Sequence, residues 1–243
     1  MSAPPSIASS RLADHVRACR IGDQMIFLDL LRSTYFGVVG PHLAALSAVI
    51  LEDAAGADMV DTPSDPLLQA SINRLRAQKL LSDARAERPA RQPCTYTEAV
   101  TSLDTDDARE MAEVEWHSLF RLWRATLVAT AWLRRRSLAD IADRVLALRM
   151  RHSTPSAEIS GDAMLAAVAR YVRLRPFALT SRDRCLHDSL TLIHFLATQG
   201  LFPQWVIGVR VHPFGAHSWV QGGGVVLNDL AERVRHFRPI LVV

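Results

Sequence analysis

Residues 84–93 of this 243-residue chain are polar and carry two prolines. Proline lacks the backbone N–H that helices and sheets need, so such a stretch is typical of a linker. The apolar pattern also changes across it, from short strand-like runs on the N-terminal side to helical periods on the C-terminal side. We therefore predict two units, residues 11–88 and 113–243, joined by a linker over residues 89–112.

The N-terminal unit begins with three short runs of β-branched and aromatic residues, Val16–Cys19, Met25–Leu30 and Tyr35–Val38. Turn-forming residues separate these runs, so we predict three strands. Apolar residues at a helical period follow over residues 41–51 and again from Leu67 to Leu80. Three strands with two helices predict a small winged-helix-like module.

The C-terminal unit is helical at first and then changes to strands. Helical periods occur over residues 116–128, 137–150 and 161–174, and again from Cys185 onward. Strand-like runs follow the helix-stopping Gly200, at Trp205–Val211, Ala216–Val220 and Gly224–Leu227. The whole chain is therefore predicted to be an α+β protein.

Charge and composition exclude several classes of protein. Net charge is +3, and residues 1–90 hold 9 basic and 10 acidic residues, so neither part has the concentrated positive field of a nucleic-acid binder. Three cysteines without a CxxC pair fit a reducing cytoplasm better than a disulfide framework. The N-terminus lacks the pattern of a signal peptide, and the most apolar stretch, residues 125–133, is too short to span a bilayer. We therefore predict a cytoplasmic protein that binds neither nucleic acid nor membrane.

Cys185, His217 and Asp229 occur in the order of a thiol nucleophile, its base and the group that orients the base. A thiol becomes a good nucleophile when it is ionised, and a neighbouring imidazole is the usual means. The imidazole needs an acceptor at its second nitrogen to fix its tautomer. Cys185 begins a helix-like run, where free N–H groups favour the thiolate and could contribute to an oxyanion hole. One helix start and two strands could therefore deliver the three groups to one point.

Each of these residues has a structural alternative that the pattern leaves open. Buried cysteines commonly act as small hydrophobic residues, strand histidines as structural groups and strand-end aspartates as turn formers. Ser189 is a second candidate nucleophile, and Asn228 is a second candidate for orienting the imidazole.

A metal site is the other chemical interpretation, because Cys185, His187, Asp188 and His194 lie close in sequence. Their spacing is not usual for zinc, and no second cysteine pair exists, so we predict no metal. Phosphate-binding glycine motifs are absent from the sequence, and residues 222–224 predict a tight hairpin turn. We therefore predict no cofactor.

Four segments of the C-terminal unit carry a more specific signal. They are Asp183–Leu186 (DRCL), Trp205–Arg210 (WVIGVR), Pro213–Val220 (PFGAHSWV) and Val226–Asp229 (VLND). Together they resemble the transglutaminase-like cysteine peptidase of lasso-peptide biosynthesis, the B protein, over residues 113–243. The resemblance implies a transglutaminase-like, papain-type peptidase core with Cys185 as nucleophile, His217 as general base and Asp229 as orienting acid.

The N-terminal unit resembles the PqqD-like module that recognises leader peptides, especially at residues 26–30 (IFLDL) and 35–38 (YFGV). In that family a leader peptide adds as a strand to the third strand and lies against the last helix. An exposed strand edge supplies main-chain hydrogen bonds, and an apolar groove selects side chains. The resemblance implies peptide contacts from Tyr35, Phe36, Gly37, Val38, Leu68, Ile72 and Leu75. Plain core packing stays open for the helix residues, because one helix face must be core.

Together the two resemblances imply a fused B protein, a leader peptidase that binds the leader of a ribosomally made lasso precursor and cleaves it from the core. They also imply an asparagine-synthetase-like, ATP-dependent macrolactam synthetase as partner, although this chain shows no nucleotide site. Three alternatives stay open: a non-catalytic precursor carrier for the synthetase, acyl transfer to an amine instead of water, and a winged-helix DNA binder. The near-neutral charge of residues 1–90 disfavours the last.

Overall fold

The computed structural model describes residues 11–40, 43, 66–82, 96–103, 115–152, 161–178 and 185–243. The chain divides into two compact units, residues 1–93 and 94–243. The predicted linker segment 84–93 lies outside the described residues. So does the predicted helix over residues 41–51, except for Leu43, which is helical and buried.

An antiparallel three-stranded sheet forms the centre of the N-terminal unit. The elements of this unit are β1 (Arg11–Leu12), β2 (Val16–Ile21), β3 (Gln24–Asp29), β4 (Thr34–Val39), α1 (Pro66–Ala77) and β5 (Leu81–Ser82). The sheet has the order β2-β3-β4, and β1 pairs separately with β5. The three predicted strands are confirmed to within two residues at their ends.

Asp29 holds the turn between β3 and β4. Its Oδ1 accepts the backbone N–H groups of Leu31 at 2.9 Å and Arg32 at 3.1 Å, and its Oδ2 accepts the Arg32 guanidinium at 2.9 Å. Burial acts to raise the pKa of the Asp29 carboxyl, but these hydrogen bonds outweigh it and hold the pKa below its usual value. The ionised carboxylate therefore satisfies turn N–H groups that the sheet ladder leaves unpaired.

The apolar faces of this sheet and of α1 form the core of the N-terminal unit. Its buried members are Val16, Met25, Phe27, Leu43, Ile72, Leu75, Leu80 and Leu81. Ile72 and Leu75 are 0% and 3% exposed, so both belong to this core, and their contact with a leader peptide stays a prediction. The physical reason is that a helix lying on a small sheet has to bury one face, and these two residues are on that face. The side chain of Leu68 lies outside the described residues.

The C-terminal unit combines a five-stranded sheet with several helices. Its elements are β6 (Thr101–Ser102), α2 (Trp116–Arg135), α3 (Leu138–His152), α4 (Gly161–Leu174), α5 (Cys185–Ala197), β7 (Gln204–Val211), β8 (Phe214–Gly222), β9 (Val225–Val226), α6 (Ala231–Val234) and β10 (Arg238–Val242). The sheet has the order β10-β7-β8-β9-β6. All its pairs are antiparallel except β6 with β9. The predicted helices and strands are confirmed, whereas β6, β10 and α6 were not predicted.

Thr101 and Ser102 form an edge strand, although the sequence pattern placed them in the linker over residues 89–112. They pair in parallel with Val225 and Val226, and the preceding Ala99 is buried in the same core cluster as Val226. The linker prediction is therefore corrected over residues 96–103. A two-residue strand leaves no periodicity in the sequence, since all its support comes from a partner far along the chain.

The large apolar residues of α2 point away from the core of the unit. Trp116, Phe120, Trp123 and Leu127 are 81%, 65%, 48% and 65% exposed. The buried face carries Ser118, Leu122, Ala125 and Ala129 instead. Helix spacing depends on the side chains at the contact, so small alanines let α2 lie close against α5. The period identifies the helix correctly but does not show which of its faces is buried.

The helix α5 is the buried helix of this unit and packs on β8, with α2 and α4 against its other sides. Nine of its residues are buried, which accounts for the continuous apolar run in the sequence. The turn after it ends at Gly200, whose φ of +75° is a conformation that glycine adopts without strain. None of the described helices is long and apolar enough to cross a membrane.

Candidate active site

Three elements of the C-terminal unit bring Cys185, His217 and Asp229 together. Cys185 is the first residue of α5, His217 lies in the middle of β8, and Asp229 lies in the turn between β9 and α6. The register of β7 and β8 puts His217 opposite Gly208. Because α5 packs on β8, the start of the helix reaches the imidazole.

The Asp229 carboxylate holds the His217 ring from one side. Its Oδ2 lies 2.5 Å from Nε2 of His217, and its Oδ1 accepts the backbone N–H of Leu230 at 2.7 Å. Arg233 also places Nη1 3.2 Å from Oδ1 of Asp229. An ionised carboxylate is an acceptor only, so the contact keeps a proton on Nε2 of the imidazole. The carboxylate thus fixes both the tautomer and the orientation of the ring.

The Cys185 thiol contacts the same ring at its other nitrogen. It forms a hydrogen bond with the His217 side chain, and the backbone N–H groups of Ser218 and Leu186 also bond to the sulfur. Because Nε2 faces Asp229, the nitrogen that faces Cys185 is Nδ1. Burial acts to raise the pKa of the thiol, but the His217 hydrogen bond, the Ser218 N–H and the His217 charge outweigh it. The pKa of Cys185 therefore lies below the ordinary value of a thiol.

The pKa of the His217 imidazole is raised to about 9, although burial acts to lower it. The increase comes from the hydrogen bonds to Asp229 and Cys185 and from their negative charges. Burial would raise the pKa of Asp229, but its hydrogen bonds to His217 and Leu230 lower it overall. At a pH above the lowered pKa of Cys185 the thiol is ionised, and at a pH below about 9 the imidazole is protonated. In the pH range between these two limits the site holds a thiolate beside an imidazolium. This ionised pair is what a cysteine nucleophile requires.

Two aromatic rings lie beside the His217 ring. The centroid of Trp219 is 6.2 Å away and that of Phe237 is 5.2 Å away. The guanidinium carbon of Arg210 lies 5.2 Å from the Phe237 centroid. A Cβ on Gly208 would lie 2.7 Å from Cη2 of Trp219 and 2.9 Å from Cβ of Phe237. Sequence reasoning missed Phe237 and Gly208, although a glycine inside a strand pattern is a signal of close packing.

Ser189 and Asn228, the alternative nucleophile and orienting group, belong to a separate network. Ser189 is buried, and its Oγ accepts Nδ2 of Asn228 at 3.2 Å. The same Nδ2 donates to Oδ2 of Asp188 at 2.9 Å, while Oδ1 of Asn228 accepts the backbone N–H of Val220 at 2.8 Å. The amide oxygen of Asn228 accepts the Val220 N–H, whereas the side chain that contacts the imidazole nitrogen is that of Asp229.

The side chains that could have formed a metal site have other partners. His187 places Nε2 2.8 Å from Oγ1 of Thr130. His194 packs edge-on against Trp132 with a centroid distance of 4.2 Å, and burial lowers its pKa to about 4. Within the described ranges, no group of three or more His, Cys, Asp or Glu residues could hold a metal ion.

The remaining candidate binding residues lie in β4 of the N-terminal unit. Phe36 and Val38 are half-buried against the core, Tyr35 is half-buried, and Gly37 is exposed. β4 pairs with β3, and no other strand in the described part of the chain pairs with its outer edge. That edge is where an added peptide strand could form main-chain hydrogen bonds.

Comparisons with known proteins agree with the C-terminal part of the sequence prediction. Residues 123–242 match the family model of the transglutaminase-like superfamily. The chain is also 47% identical over 48 residues to the microcin J25-processing protein McjB of Escherichia coli. This match covers 20% of the chain and 23% of McjB, so the chain spans under a quarter of that relative.

No solved structure matches the chain. The predicted transglutaminase-like resemblance is confirmed, whereas the PqqD-like resemblance of residues 11–88 stays a prediction. The match over residues 123–242 includes Cys185, His217 and Asp229 and the strands β7 to β9 that surround them. The C-terminal unit of this α+β protein therefore contains a transglutaminase-like region.

Proposed function

We propose that this protein is a cysteine endopeptidase that binds the leader of a ribosomally made lasso precursor peptide and cleaves it from the core. The observation that carries the proposal is the continuous hydrogen-bonded chain from Cys185 through His217 to Asp229. It supplies an ionised thiol, its proton donor and an orienting acid at one point. Similarity to a microcin J25-processing protein supports the class of substrate.

Cleavage would proceed in two steps through a thioester. The Cys185 thiolate attacks the scissile carbonyl carbon, and the C–N bond breaks as His217 gives its proton to the leaving amine. Water then attacks the thioester carbon while His217 takes one of its protons. The C–S bond breaks, which releases a carboxylic acid and restores the Cys185 thiolate.

The N-terminal unit would bind the leader as an added strand on the outer edge of β4. The half-buried Tyr35, Phe36 and Val38 and the exposed Gly37 lie along this strand. Main-chain hydrogen bonds to an edge strand give affinity with little dependence on sequence, and the neighbouring side chains select the peptide. Leader binding would then raise the effective concentration of the scissile bond near Cys185.

A lasso macrolactam synthetase would receive the released core peptide. This partner and a cytoplasmic location remain predictions that follow from the sequence resemblance. In this proposal the synthetase is similar to asparagine synthetases and carries the ATP-dependent step.

Cys185→Ala is the direct test of the proposed mechanism. It should reduce cleavage below roughly one-thousandth of the wild-type rate, because the nucleophile is lost, while precursor binding persists. Mass spectrometry of a precursor incubated with the full chain measures cleavage, and fluorescence anisotropy measures binding. Cys19→Ala is the matched control, since it removes a buried thiol from β2 in the other unit. We expect that variant to keep cleaving.

Undiminished cleavage by Cys185→Ala would remove the mechanism. A wild-type protein that binds the precursor but never cleaves it, even with the synthetase present, would favour the precursor-carrier role. A product joined to an amine, in place of a product that has gained one water, would favour acyl transfer.

A further inference from the structure

One amide side chain, that of Asn228, connects α5, β8 and the turn after β9. Its Nδ2 donates to Oδ2 of Asp188 on α5 at 2.9 Å. Its Oδ1 accepts the backbone N–H of Val220 on β8 at 2.8 Å. Both ends of the amide are therefore bonded, and each bond reaches a different element.

These are the same three elements that carry the triad. Asp188 follows Cys185 by three residues, Val220 follows His217 by three residues, and Asn228 directly precedes Asp229. Three residues is about one helical turn on α5 and about 10 Å along β8. A shift of Asn228 would thus move Asp229 relative to both other members of the triad.

Asp188 is itself held through its other carboxylate oxygen. Its Oδ1 accepts the hydroxyl of Tyr171 at 2.7 Å and lies 3.0 Å from Nε of Arg175. The Asp188 side chain is almost fully buried, and Tyr171, on α4, is completely buried. A buried carboxylate bonded at both oxygens is a rigid anchor, because each bond would be costly to break without water.

We propose that Asp188 and Asn228 are positioning residues that lock the turn carrying Asp229 against α5 and thereby set the geometry between sulfur, imidazole and carboxylate. The inference rests on the proposed peptidase function of the triad. It adds two residues that act through the triad without touching the reacting atoms.

The polarity of the two side chains provides a specific test. The Asn228 oxygen faces one donor, the Val220 N–H, and its nitrogen faces two acceptors, the Asp188 carboxylate and the Ser189 hydroxyl, so only one amide orientation satisfies all three. Asn228→Asp keeps the shape but sets two carboxylate oxygens against each other. Asp188→Asn likewise sets two amide groups together. Exchanging both residues, Asp188→Asn with Asn228→Asp, restores one donor and one acceptor at the contact with the total charge unchanged.

Gln221→Glu is the matched control for the cost of placing an acid in this core. Gln221 is fully buried, accepts Nε1 of Trp219 at 2.8 Å and donates to the Thr97 carbonyl at 2.8 Å. Its side chain does not connect the three triad elements through these bonds. Gln221→Glu should therefore show how the measurements change when the core is destabilised but the triad geometry is kept.

The experiment uses the full chain and three measurements. They are the kcat and KM of precursor cleavage, the thermal unfolding midpoint, and the rate of Cys185 alkylation by iodoacetamide against pH. Mass spectrometry of the peptide containing Cys185 makes the last measurement specific to this thiol.

Asn228→Asp and Asp188→Asn should each lower kcat about 10- to 100-fold with a much smaller change in KM, because misplaced reacting groups slow the chemical step. Alkylation at acidic pH should slow as well, since the thiol loses its contact with the imidazolium. The double exchange should recover kcat to within about tenfold of wild type. Gln221→Glu should lower the unfolding midpoint but leave the pH profile of alkylation unchanged.

Single variants with wild-type kcat and alkylation profiles would overturn the inference, and so would a double exchange no better than either single variant. If the wild type cleaves the precursor while the single variants also cleave it normally, only the positioning inference fails. If wild-type Cys185 alkylates rapidly at acidic pH but no precursor is cleaved, the peptidase proposal fails. The alkylation rates of the variants then still decide the positioning role.

Discussion

The His217 imidazole lies between two groups that are negative in the ionised site, the Cys185 thiolate and the Asp229 carboxylate. Burial alone would keep a thiol and an imidazole neutral, because a low dielectric disfavours charge. Each charge here has an opposite charge within hydrogen-bonding distance, which outweighs the cost of burial. Arg233, 3.2 Å from Asp229, adds a second positive group next to the carboxylate. The ionised pair is thus a property of three residues together and not of Cys185 alone.

The pH dependence of cleavage follows from the signs of these shifts. The active form needs a thiolate and an imidazolium, so kcat/KM should rise with pH as Cys185 ionises, at lower pH than for an ordinary thiol. It should fall again as His217 loses its proton near pH 9. Measuring kcat/KM from acidic to alkaline buffers gives both limbs of the curve.

Asp229→Asn tests how far Asp229 sets the alkaline limb of the same pH profile. It removes the charge and changes the hydrogen bond that raise the pKa of His217, so the alkaline limb should move to lower pH. The rate at the optimum should fall roughly 10- to 150-fold, as expected for losing a hydrogen bond to a charged group. Activity that keeps rising above pH 9 in the wild type would mean that the neutral imidazole is the active form.

At the scale of elements, the pairing of β7 with β8 controls what can lie next to the imidazole. His217 and Gly208 are directly opposite across the two strands. The missing side chain at Gly208 leaves room for the rings of Trp219 and Phe237, which lie beside His217. A small residue on one strand thus allows a large aromatic contact on its neighbour.

Gly208→Ala should be destabilising and should slow cleavage. The added Cβ would lie 2.7 Å from Cη2 of the Trp219 ring and 2.9 Å from Cβ of Phe237, so the ring and the Phe237 side chain both have to shift. We expect the free energy of unfolding to fall by about 1–3 kcal/mol, the usual cost of overpacking a core. Chemical denaturation and precursor cleavage measure the two effects.

Gly222→Ala is its control on the adjacent strand β8. Nothing lies within 4 Å of a Cβ at Gly222, so we expect its unfolding free energy to stay within about 0.5 kcal/mol of wild type. Equal losses for the two variants would show that close packing at Gly208 is unimportant.

At the scale of the whole molecule, the chain divides into two units with separate cores. The edge strand β4 belongs to residues 1–93, and the candidate triad belongs to residues 94–243. In the proposed function the first unit contributes binding energy and the second contributes chemistry. Such a division predicts that the two contributions can be separated in kinetic measurements.

A peptide that keeps the scissile bond but lacks the leader should therefore lose affinity more than turnover. Its KM should rise about 100-fold or more, with kcat changed little, because leader binding is the same in the ground and transition states. Comparing full precursor with leaderless peptide on the wild-type protein measures this split.

Gly37→Pro and Val38→Pro test whether the outer edge of β4 binds the leader. Successive residues of an antiparallel strand send their N–H groups to opposite sides, so one proline removes a bond to β3 and the other a bond to the leader. We expect one of the two variants to keep the wild-type unfolding midpoint while its KM for the full precursor rises to the leaderless value. If both variants keep the wild-type KM, β4 is not the leader site.

The sequence predicted most of the elements because their apolar patterns are local. The ends of the strands in the N-terminal sheet were predicted to within two residues, and the helix α5 was predicted to begin at Cys185, where it does begin. The short strand Thr101–Ser102 was missed, because two residues contain no period and their pairing partner is distant. The exposed face of α2 was also beyond the pattern, since both of its faces carry apolar residues.

By itself, the sequence determined which residue types are available and in what order: a cysteine at a helix start, a histidine within a strand and an aspartate after the next strand. Only the tertiary structure decided that Asp229, and not its neighbour Asn228, bonds the imidazole, and that Ile72 and Leu75 are core residues. The physical reason is that a local pattern records which side chains share a face or a turn. Which distant group comes within 3 Å of each one depends on how separate segments pack.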